Sequence, residues 1–248
     1  GEISDVCLKR KIRNRMQDMG HDIFVKAADR SDDGFKSLEK RFESSFDKTT
    51  DDDKVEEKAN LQWMDIRSFG QVFTYQKRSL GIRGPVSISV AKSVDPIETT
   101  TMQITKSVSG MEPKSGKTRS ADTMGSKHFV DYGVYVVNGS VNCYFAEKTG
   151  FDEEDLKVLK ECIRTMFVND VSSARPDGSM EVRDIYWFNH SSKVGDVSSG
   201  KIKDLLIHDE LDMNALKVRY EDYNFRLDAD KLKKFEELGL KVEHLTGL

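Results

Sequence analysis

The chain has 248 residues, 37% of them apolar and 33% charged, with 39 Lys and Arg against 43 Asp and Glu. A net charge of −4 excludes a histone-like basic protein and an acidic disordered tail. It leaves room for a local basic site, because net charge says nothing about where charges sit.

No run approaches the roughly 20 apolar residues of a membrane span. No apolar stretch with a small-residue cleavage site opens the chain. The sequence therefore reads as soluble, cytoplasmic and without a signal peptide. Ile3-Ser4 leads at once into a helix, capped by Ser4 or Asp5, that runs to Met19 and stops at Gly20. Val6, Leu8, Ile12, Met16 and Met19 supply its apolar positions. Residues 1–15 hold five basic side chains against Glu2 and Asp5. Lys9, Arg10 and Arg13 fall within about one turn, so two or three heads can share a side while Leu8 and Ile12 anchor the other. Such a face suits a phosphate backbone; a merely solvated helix face is the competing reading. Residues 29–57 reverse the sign, with eleven acidic against six basic residues. Within them Phe35, Leu38, Phe42 and Phe46 space as an amphipathic helix, and residues 49–53 read as a loop or helix cap. The acids here read as a solvated face.

Residues 86–90 alternate at period two after Gly84-Pro85, as in a half-buried strand. Residues 132–145 read as a hairpin turning at Asn138-Gly139, with Val134, Val136, Val141, Cys143 and Phe145 on its arms. Residues 152–167 form a helix capped by Asp152, with acids on its first turn and an apolar stripe of Leu156, Leu159, Ile163, Met166 and Phe167. Residues 185–188 suggest a buried strand. Leu216, Val218 and Tyr220 alternate with polar residues. Asp228 or Asp230 starts a last helix, Gly239 stops it, and residues 240–242 return as a strand. This order is α+β, compatible with a ferredoxin-like or RNA-recognition sheet carrying helices on one face. Residues 97–127, rich in Thr, Ser, Gly and Lys, cannot pack a core and are expected to project. Residues 106–128 carry five basic against two acidic side chains. Met124-Gly125 among them could bring an apolar wedge to a base.

Catalytic and metal constellations are weak. Cys7, Cys143 and Cys162 are odd in number and far apart, and the five histidines form no ligand pair, so neither a metal site nor a cofactor is expected. Residues 195–202 carry G-x-x-x-x-G-K but place Ile202 where a hydroxyl must ligate magnesium. Residues 110–118 end in Gly-Lys-Thr with the wrong spacing and with Pro113 removing an amide donor. No nucleophile elbow occurs.

The motifs Ile3-Ser4-Asp5-Val6-Cys7-Leu8-Lys9-Arg10-Lys11-Ile12-Arg13-Asn14, Met64-Asp65-Ile66-Arg67-Ser68-Phe69-Gly70, Ile82-Arg83-Gly84-Pro85-Val86 and Asp122-Thr123-Met124-Gly125-Ser126-Lys127-His128 follow in order. Tyr132-Gly133-Val134-Tyr135, Ala146-Glu147-Lys148-Thr149-Gly150-Phe151 and Ser173-Ala174-Arg175 continue the series. Together they resemble the backbone subunit of the CRISPR-associated type I-C Cascade surveillance complex, over most of residues 1–195.

The resemblance implies one domain over residues 1–248: a modified ferredoxin-like, RNA-recognition palm with a helical finger region at 29–62 and a thumb hairpin at 97–127. It also implies that the family's first strand, and the Asn-Pro-Asn-Gly-Asp-type loop before the helix, are missing here. The implied function is non-catalytic. Copies of the chain polymerise along CRISPR guide RNA beside other Cascade subunits, and guide bases stay free to pair with target DNA, the division of labour of RNA-guided recognition. Lys9, Arg10, Arg13, Arg67, Arg119, Met124, Lys127 and His128 are the implied RNA-binding residues. The alternative is a ribonuclease trimming CRISPR RNA, with His128 as acid and Lys127 as charge stabiliser.

Overall fold

The computed structural model describes residues 1–105, 124–172, 175–211 and 219–248. Arg119, the loop at 110–118, most of the basic insertion, Ser173-Ala174, Leu216 and Val218 lie outside the described residues. In chain order the elements are β1 (Glu2–Ile3), α1 (Asp5–Asp18), α2 (Leu38–Ser45), α3 (Asp52–Gln62), α4 (Met64–Phe69), β2 (Gly70–Phe73), β3 (Leu80–Arg83), β4 (Val86–Ile88) and β5 (Ala91–Ser93). There follow β6 (Thr99–Thr105), β7 (Met124–Val130), β8 (Tyr135–Val136), β9 (Gly139–Val141), α5 (Cys143–Thr149) and α6 (Glu153–Arg164). The last are β10 (Asp184–Asn189), α7 (Ser199–Lys203), β11 (Leu206–Ile207), β12 (Arg226–Leu227), α8 (Ala229–Glu236) and β13 (Lys241–Thr246). They fall into a smaller unit, Gly1–Ile3 with Val90–Val137, and a larger one, Ser4–Ser89 with Asn138–Leu248.

Helix starts follow their local caps. The Ser4 hydroxyl accepts from the N–H of Cys7 at 3.2 Å, Ser37 from Lys40 at 3.2 Å and Asp51 from Asp53 at 3.1 Å. Asp152 and Asp155 form a reciprocal capping box on α6, and Asp228 caps α8. Residues 29–62 thus hold two helices, α2 and α3, with Phe35 lying before the first of them. Phe42 and Phe46 are buried in an aromatic core with Phe24, Trp63 and Phe73. Ring centroids of Phe24 and Trp63 stand 4.7 Å apart and those of Phe42 and Phe73 4.8 Å, all tilted, as the ring quadrupoles prefer. α1 also packs against α6, with Leu8, Ile12 and Met16 of the first and Leu159 and Cys162 of the second buried. Burial pushes the Cys162 thiol up to about 12, which leaves it protonated and unreactive.

All described strand pairs are antiparallel, and the class is α+β. In the smaller unit β1, β5 and β8 make a three-stranded sheet, so the residues just before α1 are extended rather than leading straight into it. β6 and β7 pair over seven residues as a long ribbon. The larger unit carries the pairs β2–β3, β4–β9, β10–β13 and β11–β12.

Three sequence expectations are corrected. The hairpin at 132–145 does not form: β8 pairs with β5 and β9 with β4. Cys143 and Phe145 belong to α5, because the Asn142 side chain accepts from the N–H groups of Tyr144 (2.9 Å) and Phe145 (3.3 Å) and starts a helix there. The strand at 184–189 is half-exposed, since its sheet has only two strands. Tyr220 stands in a short 3₁₀ turn, Tyr220–Tyr223.

The acidic run at 29–57 is not simply a solvated face. Lys26 meets Asp32 at 2.7 Å and Asp22 at 3.2 Å, and Arg78 meets Asp52. Arg41 grips Asp33 with Nε at 2.5 Å and Nη2 at 2.9 Å, while Nη1 donates to the Phe24 carbonyl at 2.9 Å. The Arg41 guanidinium holds the Asp33 carboxyl well below the usual carboxylate range. A depressed folded-state pKa adds stability that is complete above the unfolded value of about 4 and disappears as pH falls through the folded value. Acid unfolding followed by circular dichroism is expected to show this loss below about pH 4. Asp33→Asn is expected to lower stability at neutral pH and flatten the acid limb; identical limbs in both proteins would refute the assignment.

Candidate nucleic-acid interface

The basic helix is the first place to look, and its charges have partners. Lys9 returns to Asp5 at 3.1 Å, an i,i+4 pair on the surface. Lys11 is buried against Asp170 at 2.5 Å. Arg15 donates to Thr165 Oγ1 at 2.8 Å. Arg13 donates Nε to Asp65 at 3.0 Å, and its guanidinium lies 5.1 Å from the Phe69 ring centroid. Arg10 donates Nη1 to the Val25 carbonyl at 2.6 Å. Burial, then the neighbouring Arg13 charge, lower the Arg10 pKa from its ordinary value. An added anion there would offset the Arg13 repulsion.

Asp65 organises this corner. It is 0% exposed and accepts from the backbone N–H groups of Phe24 (2.7 Å) and Val25 (3.0 Å) as well as from Arg13. Two residues on, Arg67 makes a bidentate pair with Asp155, both contacts at 2.7 Å, and donates Nη1 to the Asn60 carbonyl at 2.6 Å. Its Asp155 hydrogen bonds raise the Arg67 pKa. The short helix α4 thus latches α1 on one side and α6 on the other. Arg13 and Arg67 spend their planar forks inside the fold, while Lys9 and Arg10 keep the looser attachments. Sequence reading missed Asp65, Asp155 and Asp170 as the counter-charges. Its only signal was the Asp-x-Arg spacing of the Asp65–Arg67 motif.

The β6–β7 ribbon of the smaller unit holds Met124, Lys127 and His128. Strand alternation puts Met102, Ile104, Lys127 and Phe129 on one face and Thr101, Gln103, Met124, Ser126 and His128 on the other. Lys127 Nζ lies 5.8 Å from the Phe129 ring centroid. His128 Nδ1 and Thr101 Oγ1 are 2.8 Å apart across the ribbon. Met124 is exposed, with Gln103 Nε2 on its sulfur at 3.0 Å. Consecutive residues on a strand point to opposite faces, so Lys127 and His128 do not converge on one atom, as the ribonuclease reading requires.

The loop at 195–202 does not offer a phosphate cradle. The Asp196 carboxylate accepts from the Ser191 N–H (2.6 Å) and hydroxyl (2.5 Å), placing negative charge beside the loop. No helix among the described residues is long and apolar enough to cross a membrane.

The α+β chain thus carries a latched basic helix in the larger unit and an exposed antiparallel ribbon in the smaller one. Residues 1–228 match the family CRISPR-associated protein Cas7, and the chain belongs to that family. No curated protein matches it. Among solved structures, a chain described as "CRISPR RNA-guided surveillance complex, pre-nicking" is similar at 14% identity and a TM-score of 0.43. That similarity covers 75% of this chain and 46% of the other, so the chain spans less than half the length of the solved chain it matches.

Proposed function

We propose that this chain is a non-catalytic subunit of a type I-C-like Cascade complex in the cytoplasm, polymerising with copies of itself along CRISPR guide RNA. It holds the RNA backbone beside other Cascade subunits and leaves the bases to pair with target DNA in antiviral defence. Membership of the Cas7 family over residues 1–228 is the observation that carries this reading. In it, residues 1–248 form one domain with a ferredoxin-like palm, 29–62 is the finger region and 97–127 the thumb. Lys9 and Arg10 contact guide phosphates, joined by Arg119, Met124 and Lys127 of the thumb and by His128 just after it. Arg13 and Arg67 serve the same interface through Asp65 and Asp155, by fixing α1 and α4. Lys9 can leave Asp5 for a phosphate at small cost, because an exposed i,i+4 pair contributes only about 0.3–0.5 kcal/mol.

The protein purified from cells transcribing a CRISPR array is expected to carry RNA of one repeat-spacer length. A Lys9→Gln, Lys127→Gln double variant is expected to retain about tenfold less, with a shallower salt dependence. Protein free of RNA, or a double variant that retains it fully, would sink the proposal. Labelled repeat RNA incubated with the protein is expected to stay intact; specific cleavage lost in His128→Ala would favour a ribonuclease instead.

A further inference from the structure

Most arginines of the larger unit are engaged by groups inside the fold: Arg10 donates to the Val25 carbonyl and Arg15 to Thr165. Arg13, Arg30, Arg41, Arg67, Arg78 and Arg226 each meet a carboxylate. Arg83, exposed at the end of β3, meets none among the described residues. Its guanidinium lies instead 4.4 Å from the centroid of the Phe145 ring. Lys148, one helical turn further along α5 and also exposed, lies 6.0 Å from the same ring. Tyr144, beside them on α5, is 52% exposed. The one carboxylate on this helix, Glu147, is paired with Lys193 and does not neutralise either cation.

Two cations held on a half-buried ring, next to an exposed phenol, combine what single-stranded nucleic acid needs: charge for phosphates and a π surface for a base. Cation–π contact orients a guanidinium without consuming its N–H groups, whereas a carboxylate would occupy them. The short β3–α5 juxtaposition is therefore loaded with positive charge that the fold itself does not use.

We infer that Arg83, Phe145, Lys148 and Tyr144 form a single-stranded nucleic-acid contact separate from α1 and from the ribbon. Arg83 and Lys148 bind phosphates, and Tyr144 offers its ring to a base. The inference rests on the reading of the chain as a nucleic-acid-binding subunit, and adds to it a contact surface on β3 and α5.

The test is anisotropy of a labelled uridine-rich RNA 12-mer, and of its DNA counterpart, titrated with the intact chain at several salt concentrations. Arg83→Gln and Lys148→Gln are each expected to weaken binding about fivefold and to reduce the salt slope by about one. Tyr144→Leu is expected to weaken binding with the slope unchanged, since stacking is not ionic. Arg83→Lys, which keeps the charge, is expected to keep the slope. Lys40→Gln, a surface change elsewhere in the unit, is the control. Thermal melts identify any variant that has lost its fold, and Arg83→Lys with Lys148→Gln then carry the comparison. A loss confined to RNA assigns the surface to a guide-type strand, and an equal loss on DNA to any single strand; both support the contact. Wild-type binding with unchanged affinity and slope in Arg83→Gln and Lys148→Gln overturns this inference and leaves the guide-binding reading standing. Failure of the wild-type chain to bind either oligonucleotide overturns both.

Discussion

Asp65→Ala is expected to destabilise the larger unit by about 3–5 kcal/mol, the usual cost of breaking a buried pair and leaving one charge alone. Three donors lose their acceptor at once: the Arg13 guanidinium and the backbone N–H groups of Phe24 and Val25. None of them regains water easily, because Asp65 is fully buried and the Arg13 side chain is 13% exposed. Urea unfolding followed by tryptophan fluorescence suits the measurement, since Trp63 stands in the adjoining core. Removing both charges in Asp65→Ala, Arg13→Met is expected to recover a substantial part of the loss, because the unpaired guanidinium is then gone. Additive single and double changes would show that the two residues do not act as a pair. The same latch makes an Arg13 variant a poor test of RNA binding, because lost stability and a lost phosphate contact would be read together.

Gly84→Ala is expected to cost about 3 kcal/mol or more, by the overpacking of backbone against backbone. A Cβ at Gly84 would stand 2.5 Å from the Gly70 backbone nitrogen and would also meet the Ser68 carbonyl oxygen. Neither group can rotate away as a side-chain tip would. Gly70 itself ends α4 with φ of +76°, which no L side chain adopts readily, so the crossing of the two glycines fixes how α4 turns into β2. Gly200→Ala is the control: it meets nothing within 4 Å and sits in α7, where alanine is neutral to favourable. Matching midpoints in urea for the two variants would refute the crowding argument.

Both predictions concern residues inside motifs that the sequence displays openly, yet neither role could be read there. Lys9, Arg10, Lys11, Arg13 and Arg15 stand out as a positive segment, but the charge of a segment is not the charge of a surface. Asp65 and Asp170 arrive from distant parts of the chain and neutralise Arg13 and Lys11. Conversely, Arg83 is one of many cations in the sequence, and only the structure shows it exposed on the Phe145 ring with no acid among the described residues. The failed hairpin at 132–145 has the same origin. Val136 and Val141 do lie in strands and Val134 just before one, but β8 and β9 take separate partners, and the Asn142 cap turns the following residues into a helix.

Read by itself, the sequence determined what depends on neighbours a few residues away. It determined the cap at Asp152, narrowed those of α1 and α8 to Ser4 or Asp5 and Asp228 or Asp230, and gave the α+β order and most of the apolar stripes of α1 and α6, Val6 excepted. Tertiary structure alone decided which strands pair, which cations are spent and which stay free. Those outcomes join positions such as Arg13 with Asp65 and Arg67 with Asp155, 52 and 88 residues apart. Whether so distant a carboxylate arrives is set by the packing of whole elements, and no local propensity encodes it.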